Sequence, residues 1–136
     1  MTQIEIESEL ARLNRQLNSY KSKKQKTENE MREIEYIIEK IRIKTHEIED
    51  GLQETLNNIE KKLKLINQRS RFRIRHLDNA KSILLNSTSS NALQSMRDSE
   101  KKATDKYWTL DNKLSGYCVK ISELESEINV LKQQLI

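Results

Sequence analysis

Few side chains in this sequence have the types and spacing that catalysis or metal binding requires. His46 and His76 lie far apart, and no cysteine or acidic set accompanies them at metal-ligand spacing. The lone cysteine, Cys118, has no intrachain partner for a disulfide. The two glycines, Gly51 and Gly116, are too scattered for a phosphate-binding loop. We therefore predict no catalytic residue, no metal site and no cofactor, and expect a protein that is not an enzyme.

The densest group of charged side chains is basic. It consists of alternating arginines with lysines nearby: Arg69, Arg71, Arg73 and Arg75, with Lys61, Lys62, Lys64 and Lys81. A basic patch can hold phosphates, but alternate residues of a helix turn by about 200° and divide between two faces. The net charge of the chain is only +4. We expect these arginines to pair with Asp98, Glu100 and Asp105 or to lie on a solvated face, which disfavours nucleic acid as a partner.

Trp108 is the aromatic side chain with the clearest potential for binding. It lies one residue off an apolar stripe, beside Tyr107, and Phe72 lies similarly close to a stripe of its own. Two interpretations remain open. Trp108 stacks on Arg69 within the fold, or it is an exposed anchor for a partner.

Long helices are the elements that must position these residues. The chain has no proline, 34% charged residues and two stripes of side chains spaced alternately by three and four. The first stripe is Leu10, Leu13, Leu17, Tyr20, Lys24, Thr27, Met31, Ile34, Ile38, Ile41, Thr45, Ile48 and Leu52. The second stripe is Leu93, Met96, Glu100, Ala103, Tyr107, Leu110, Leu114, Tyr117, Ile121, Leu124, Ile128, Leu131 and Leu135. Such heptads are typical of helices that coil left-handedly around another helix.

The strongest turn signal is the segment Asn86-Ser-Thr-Ser-Ser-Asn91, because Asn can end a helix and Ser or Asn can cap the next. We predict a single coiled-coil unit over residues 1–136, with a helix over 3–85, a turn over 86–91 and a helix over 91–135. The fold class is then an all-α antiparallel coiled-coil hairpin with a long first helix. The alternative is a three-helix bundle broken at Asp50-Gly51, which the stripe running through the glycine disfavours.

A turn at 86–91 predicts that the first stripe needs a partner. The return helix would cover residues 42–86, and a long uncovered apolar stripe is not tolerated in a stable monomer. We therefore predict a helical protein partner, either a second copy or another protein. The predicted partner-binding residues are Leu10, Leu13, Leu17, Met31, Ile34, Ile38, Ile41 and Trp108.

The sequence also bears on localisation. Its longest apolar runs are too short for a transmembrane segment, and its first residues lack the pattern of an ordinary signal peptide. We expect a cytoplasmic protein, with export alongside its partner, without a cleavable signal peptide, as the alternative.

In its helical hairpin and in the pair Tyr107 and Asp111, the chain resembles the small WXG-like accessory proteins of type VII secretion, above all those that pair with LXG toxins. The resemblance implies an adaptor or targeting chaperone that packs its helices against the N-terminal helical domain of the toxin. It also implies that Tyr107 and Asp111, which fit the Tyr-x-x-x-Asp/Glu pattern, form an export motif. The chain departs from that family at the turn, where Ser-Thr-Ser-Ser stands instead of Trp-x-Gly, and in its longer first helix.

Two other classes fit the same pattern. A FliJ-like stalk protein of a type III or flagellar export apparatus is also a two-helix antiparallel coiled coil of similar length. The resemblance to that family would make the arginine cluster a docking surface for an export ATPase. The third class is a structural coiled-coil assembly factor.

Overall fold

The chain is almost entirely helical over the residues that the computed structural model describes, which are 2–65 and 71–135, without the side chains of 87–89. Its elements are α1 (Gln3–Leu65), α2 (Arg71–Ile83), a π-helical segment (Leu84–Thr88) and α3 (Ser89–Gln134). Within those ranges there is no strand. Contacts divide the chain into two compact units. Unit 1 is Met1–Glu35 with Asp105–Ile136, and unit 2 is Tyr36–Thr104.

Helix pairing is antiparallel within each unit. In unit 1 the Tyr20 ring lies 6.2 Å from the Tyr117 ring, and Glu35, further along α1, meets Tyr107, further back along α3. In unit 2 Arg42 contacts Glu100, and Glu60 contacts Lys81 of α2. The predicted fold class, an all-α helical hairpin with a long first helix, is confirmed.

The first helix begins with a capping box. The backbone N–H of Glu5 donates to Thr2 Oγ1 at 3.2 Å, and the backbone N–H of Thr2 donates to Glu5 Oε2 at 2.9 Å. Two of the N–H groups that have no partner at a helix start are satisfied in this way. Thr2 and Glu5 therefore fix where α1 starts.

α1 runs unbroken through Asp50 and Gly51. Gly51 does not have a positive φ, and its carbonyl oxygen accepts a hydrogen bond from Thr55 Oγ1 at 2.9 Å. The alternative of a bundle broken at Asp50-Gly51 is therefore wrong. A helical glycine costs only about 1 kcal/mol relative to alanine, which the flanking half-buried Ile48 and Leu52 offset by packing.

The predicted position of the turn is wrong. α1 ends at Leu65 rather than at 85, and residues 86–91 are helical, with no positive φ at Asn86 or Asn91. α2 already runs antiparallel to α1, with Lys81 of α2 in contact with Glu60 of α1. Residues 66–70, over which the first helix was predicted to continue, lie outside the described residues.

The π-helical segment explains how a Ser- and Asn-rich stretch stays helical. A π-turn holds one residue more than an α-turn, so it changes the angle between the side chains before and after it. Leu84 on one side and Ala92 and Leu93 on the other are all half-buried. The π-turn absorbs the extra residue, so the apolar residues of α2 and α3 stay on a common face, and this packing outweighs the local turn preference of Ser and Asn.

The best-packed core lies in unit 1. Leu13 and Leu17 of α1 pack with Ile121, Leu124 and Ile128 of α3, and Leu10, Tyr20 and Leu131 border them. Leu13 is only 2% exposed. The cluster is built from the two predicted stripes, which face each other here.

Unit 2 is packed more thinly. Ile59 is its one buried apolar residue within the described ranges, while Ile38, Ile41, Ile48 and Leu52 are half-buried. Unit 2 therefore gains less stability per residue from apolar burial than unit 1.

Polar side chains within the first stripe bond to their own helix. The hydroxyl of Thr27, which is buried, donates to the Lys23 carbonyl oxygen at 2.9 Å, and that of Thr45 donates to the Ile41 carbonyl oxygen at 2.9 Å. Their methyl groups remain free to pack between the two helices. Threonine interrupts the stripe in sequence without leaving an unsatisfied polar atom there.

Candidate interaction surfaces

The first stripe is largely covered within the chain, so the expectation of a long uncovered stripe is wrong. Leu13, Leu17, Met31 and Ile34 are buried, and Leu10, Ile38 and Ile41 are half-buried. The prediction assumed that the return helix reached only to residue 42. Because α2 already runs antiparallel to α1, the returning helices α2 and α3 are long enough to cover this stripe within the chain.

Tyr107 lies at the contact between α3 and α1. A hydrogen bond to Glu35 raises the pKa of Tyr107, and desolvation and the negative charges of Glu35 and Asp111 add to the effect. Asp111 follows one helical turn later and is also half-buried. The two residues of the candidate export motif therefore share one side of α3, with the tyrosine hydroxyl engaged by its neighbour.

Trp108 is 57% exposed, and its ring lies edge-on to Tyr107 with 5.5 Å between centroids and 86° between planes. Of the two interpretations left open, the observed exposure favours an anchor. Arg69, the predicted stacking partner, lies outside the described residues. Phe72 belongs to unit 2, whereas Trp108 belongs to unit 1.

Trp108 starts an uncharged stripe on the exposed side of α3, which we call the outer face. Its members recur at spacings of three and four residues, and all are exposed: Trp108, Asn112, Ser115, Val119, Ser122, Ser126 and Val130. Val119 is 59% exposed and Val130 is 56% exposed. A groove on this side is lined by Val119, Ser122 and Ser126 with two glutamates at its border.

Reasoning from the sequence identified Trp108 but missed the rest of the outer face. The pattern is visible in the sequence, because Trp108, Val119 and Val130 follow each other at intervals of eleven residues, which are slightly more than three full turns. In a chain with 34% charged residues, seven successive outer positions without a charge form a second pattern. The apolar stripe on the other side of α3 is the stronger pattern and drew the prediction to itself.

A second candidate surface is the basic end of unit 2, where the end of α1 lies beside the start of α2. Its members are all exposed: Lys61, Lys62, Lys64, Arg71, Arg73, Arg75 and His76. Of the two expectations for this cluster, pairing with Asp98 or Glu100 is not observed for Arg71, Arg73 and Arg75, which are exposed to solvent. Glu100 instead bonds to Arg42 at 2.9 Å. No ion pair joins Arg71, Arg73 or Arg75 to a carboxylate of residues 2–65 or 71–135.

Two large apolar side chains lie among these cations. Leu65 is 86% exposed and Phe72 is 83% exposed. Together with Lys62, Arg73, His76 and Leu77 they line a groove of about 470 Å³. Arg69, the remaining arginine of the predicted cluster, lies outside the described residues.

The other side chains that could react or bind a metal lie apart from each other. In the described part of the chain no three His, Cys, Asp or Glu side chains come together as metal ligands. Cys118 is exposed as a free thiol, and His46 lies 3.9 Å from Glu49 on the surface of α1. The helices of residues 2–65 and 71–135 contain no stretch long and apolar enough to span a membrane.

Comparison of the chain with protein-family models, with curated proteins and with solved structures gives no match to any of them.

Proposed function

We propose that the chain is a non-enzymatic adaptor or targeting chaperone that binds a helix of a secreted protein along the outer face of α3. The class of partner follows from the resemblance to type VII secretion accessory proteins, which points to the N-terminal helical domain of an LXG toxin. The binding surface differs from the one expected from sequence. The first stripe is used within the chain, so a partner helix must dock on another side.

The outer face carries the proposal. Its seven positions offer an exposed tryptophan, two exposed valines and small polar side chains, without a charge that docking would have to desolvate. Tryptophan is enriched among the residues that dominate binding energy at interfaces. Small residues such as Ser115, Ser122 and Ser126 allow another helix to approach closely. A third helix packed there would turn a two-helix pair into a three-helix layer and bury the exposed side of α3.

A binding assay with the partner domain tests the docking surface. We expect Trp108→Ala to weaken binding by about 2 kcal/mol, roughly 30-fold, as is typical of a tryptophan that dominates an interface. Val119→Asp should weaken it further, since the carboxylate would be buried without a partner. Tyr36→Ala is the matched control, because Tyr36 is 63% exposed but lies on α1 in unit 2. Equal affinity for all variants would exclude the outer face as the docking surface.

The export motif is tested separately from binding. Under the proposal, Tyr107→Ala and Asp111→Ala block secretion of the partner while the complex still forms. Tyr107→Phe is the informative control, because it keeps the ring beside Trp108 but removes the hydroxyl that meets Glu35. If secretion proceeds normally with both alanine variants, Tyr107 and Asp111 act only at the helix contact.

A FliJ-like stalk protein is the second candidate, and the unpaired arginines of the basic end favour it. In that case Arg71, Arg73 and Arg75 would dock on an export ATPase, and the triple glutamine variant would no longer stimulate ATP hydrolysis. The outer-face variants would leave that stimulation intact. A structural assembly factor would instead self-associate, which sedimentation of the purified chain over a range of concentrations would detect.

A further inference from the structure

We propose that the basic end of unit 2 binds the surface of a membrane rich in anionic lipids, with Leu65 and Phe72 inserted among the headgroups. This inference goes beyond the proposed adaptor function and rests on other residues. It would give the chain a means of holding its cargo at a membrane. Three features of this end carry it: unpaired cations, a sequence from 61 to 77 without Asp or Glu, and exposed apolar side chains.

The cations of this end come from two helices, and none of them is paired with a carboxylate of the described residues. Lys61, Lys62 and Lys64 lie at the end of α1, and Arg71, Arg73 and Arg75 lie on α2. Residues 61–77 contain no Asp or Glu. Although the net charge of the chain is only +4, positive charge is therefore concentrated at this end, where it attracts phosphate groups.

The alternating spacing of the arginines suits an extended membrane surface better than a partner that contacts only one side of the helix. Alternate residues point to different sides of a helix, so Arg71, Arg73 and Arg75 spread around the start of α2. A partner that reaches only one side would leave some of them unused. A layer of headgroups surrounds an inserted end and can meet all of them.

The apolar residues distinguish a membrane from nucleic acid. Leu65 and Phe72 are among the most exposed large apolar side chains in the described part of the chain, at 86% and 83%. Both lie on the same groove as Lys62 and Arg73. In a complex with nucleic acid, Phe72 could stack on a base, but the aliphatic side chain of Leu65 would have no comparable contact. At a lipid interface both side chains enter the acyl boundary while the cations stay at headgroup level.

The test is co-sedimentation of the full chain with vesicles of phosphatidylcholine alone or mixed with phosphatidylglycerol. We expect binding only to the anionic vesicles, and weaker binding as salt is raised. Each cation near such a surface contributes roughly fivefold in affinity, so R71Q/R73Q/R75Q should bind about 100-fold more weakly. K101Q/K102Q/K106Q removes the same charge from exposed positions of α3 and should retain most of the affinity.

A second variant tests insertion. L65S/F72S keeps every charge and alters only two exposed side chains, so its circular dichroism should match that of the unaltered chain. Its affinity for anionic vesicles should fall at least tenfold. The proposal is overturned if the unaltered chain does not bind anionic vesicles, if both triple variants lose affinity equally, or if L65S/F72S binds normally. Binding of single-stranded DNA without vesicle binding would instead identify a nucleic-acid surface.

Discussion

Replacing Gly51 by alanine should stabilise the protein. Gly51 lies inside α1, has no positive φ, and a Cβ built on it meets no atom within 4 Å. Alanine therefore gains the full difference in helix propensity, about 1 kcal/mol, without strain. With an unfolding entropy of roughly 2.1 cal/mol/K per residue, the 136-residue chain should melt about 3–4 °C higher. Thermal and urea unfolding followed by circular dichroism at equal protein concentration measure both quantities.

Gly116 provides the matched control, because it lies inside α3 and its Cβ would also meet nothing within 4 Å. Gly116→Ala should raise the melting temperature by a similar amount. The two glycines belong to different units, so the double variant should show about the sum of the two gains. A destabilising Gly51→Ala beside a stabilising Gly116→Ala would refute a continuous α1, since it would require a conformation at Gly51 that alanine resists.

Three further predictions concern the helix contacts. Leu13→Ala should cost about 2–4 kcal/mol in urea unfolding, because Leu13 is 2% exposed at the centre of the unit 1 core; a loss below about 0.5 kcal/mol would contradict that core. Glu35→Gln should lower the raised pKa of Tyr107 towards about 10, as read by ultraviolet titration against Tyr107→Phe. The stability that this contact adds should be present below about pH 10 and vanish as pH rises through the raised pKa; an unchanged titration would exclude the contact. Arg42→Glu should repel Glu100, and adding Glu100→Arg should restore up to about 0.5 kcal/mol, measured as a double-mutant cycle; zero coupling would argue against the observed register.

The helices and the apolar stripes along which they pack could be predicted from the sequence, because heptad spacing is a local property of the chain. Stripe residues Leu13, Leu17, Ile121 and Leu124 are buried as their spacing indicates. Gly51 was correctly placed within a helix, since the stripe passes through it at the same period. Helix propensity and apolar spacing agree at these positions, so local and global preferences point to one structure.

The turn could not be located in the same way. Asn86 and Asn91 bracket the strongest local turn signal, yet packing on either side keeps the chain helical there through a π-turn. The sequence between Leu65 and Arg71 has neither Gly nor Pro. A segment without these residues gives little local signal for a turn. One misplaced turn shifted the whole predicted register and left the first stripe without a partner.

The candidate surfaces were predicted only in part. Trp108 and the arginines stood out by residue type, which is visible in the sequence. The exposure of Leu65 and Phe72 is not visible in the sequence, because it depends on where α1 ends and α2 begins. Whether Arg73 meets a carboxylate depends on the register of the helix pair, and the predicted register was wrong.

The π-helical segment Leu84–Thr88 has a consequence for how genes encoding this protein can vary in length. It holds one residue that an ordinary α-helix would not need. Deleting a single residue there, such as Asn86, would convert the π-turn to an α-turn and leave the apolar faces before and after it aligned. The same deletion at Ile48 would rotate every later side chain of α1 by about 100° and destroy the pairing. Single-codon deletions should therefore be tolerated in this one segment and selected against elsewhere in the helices.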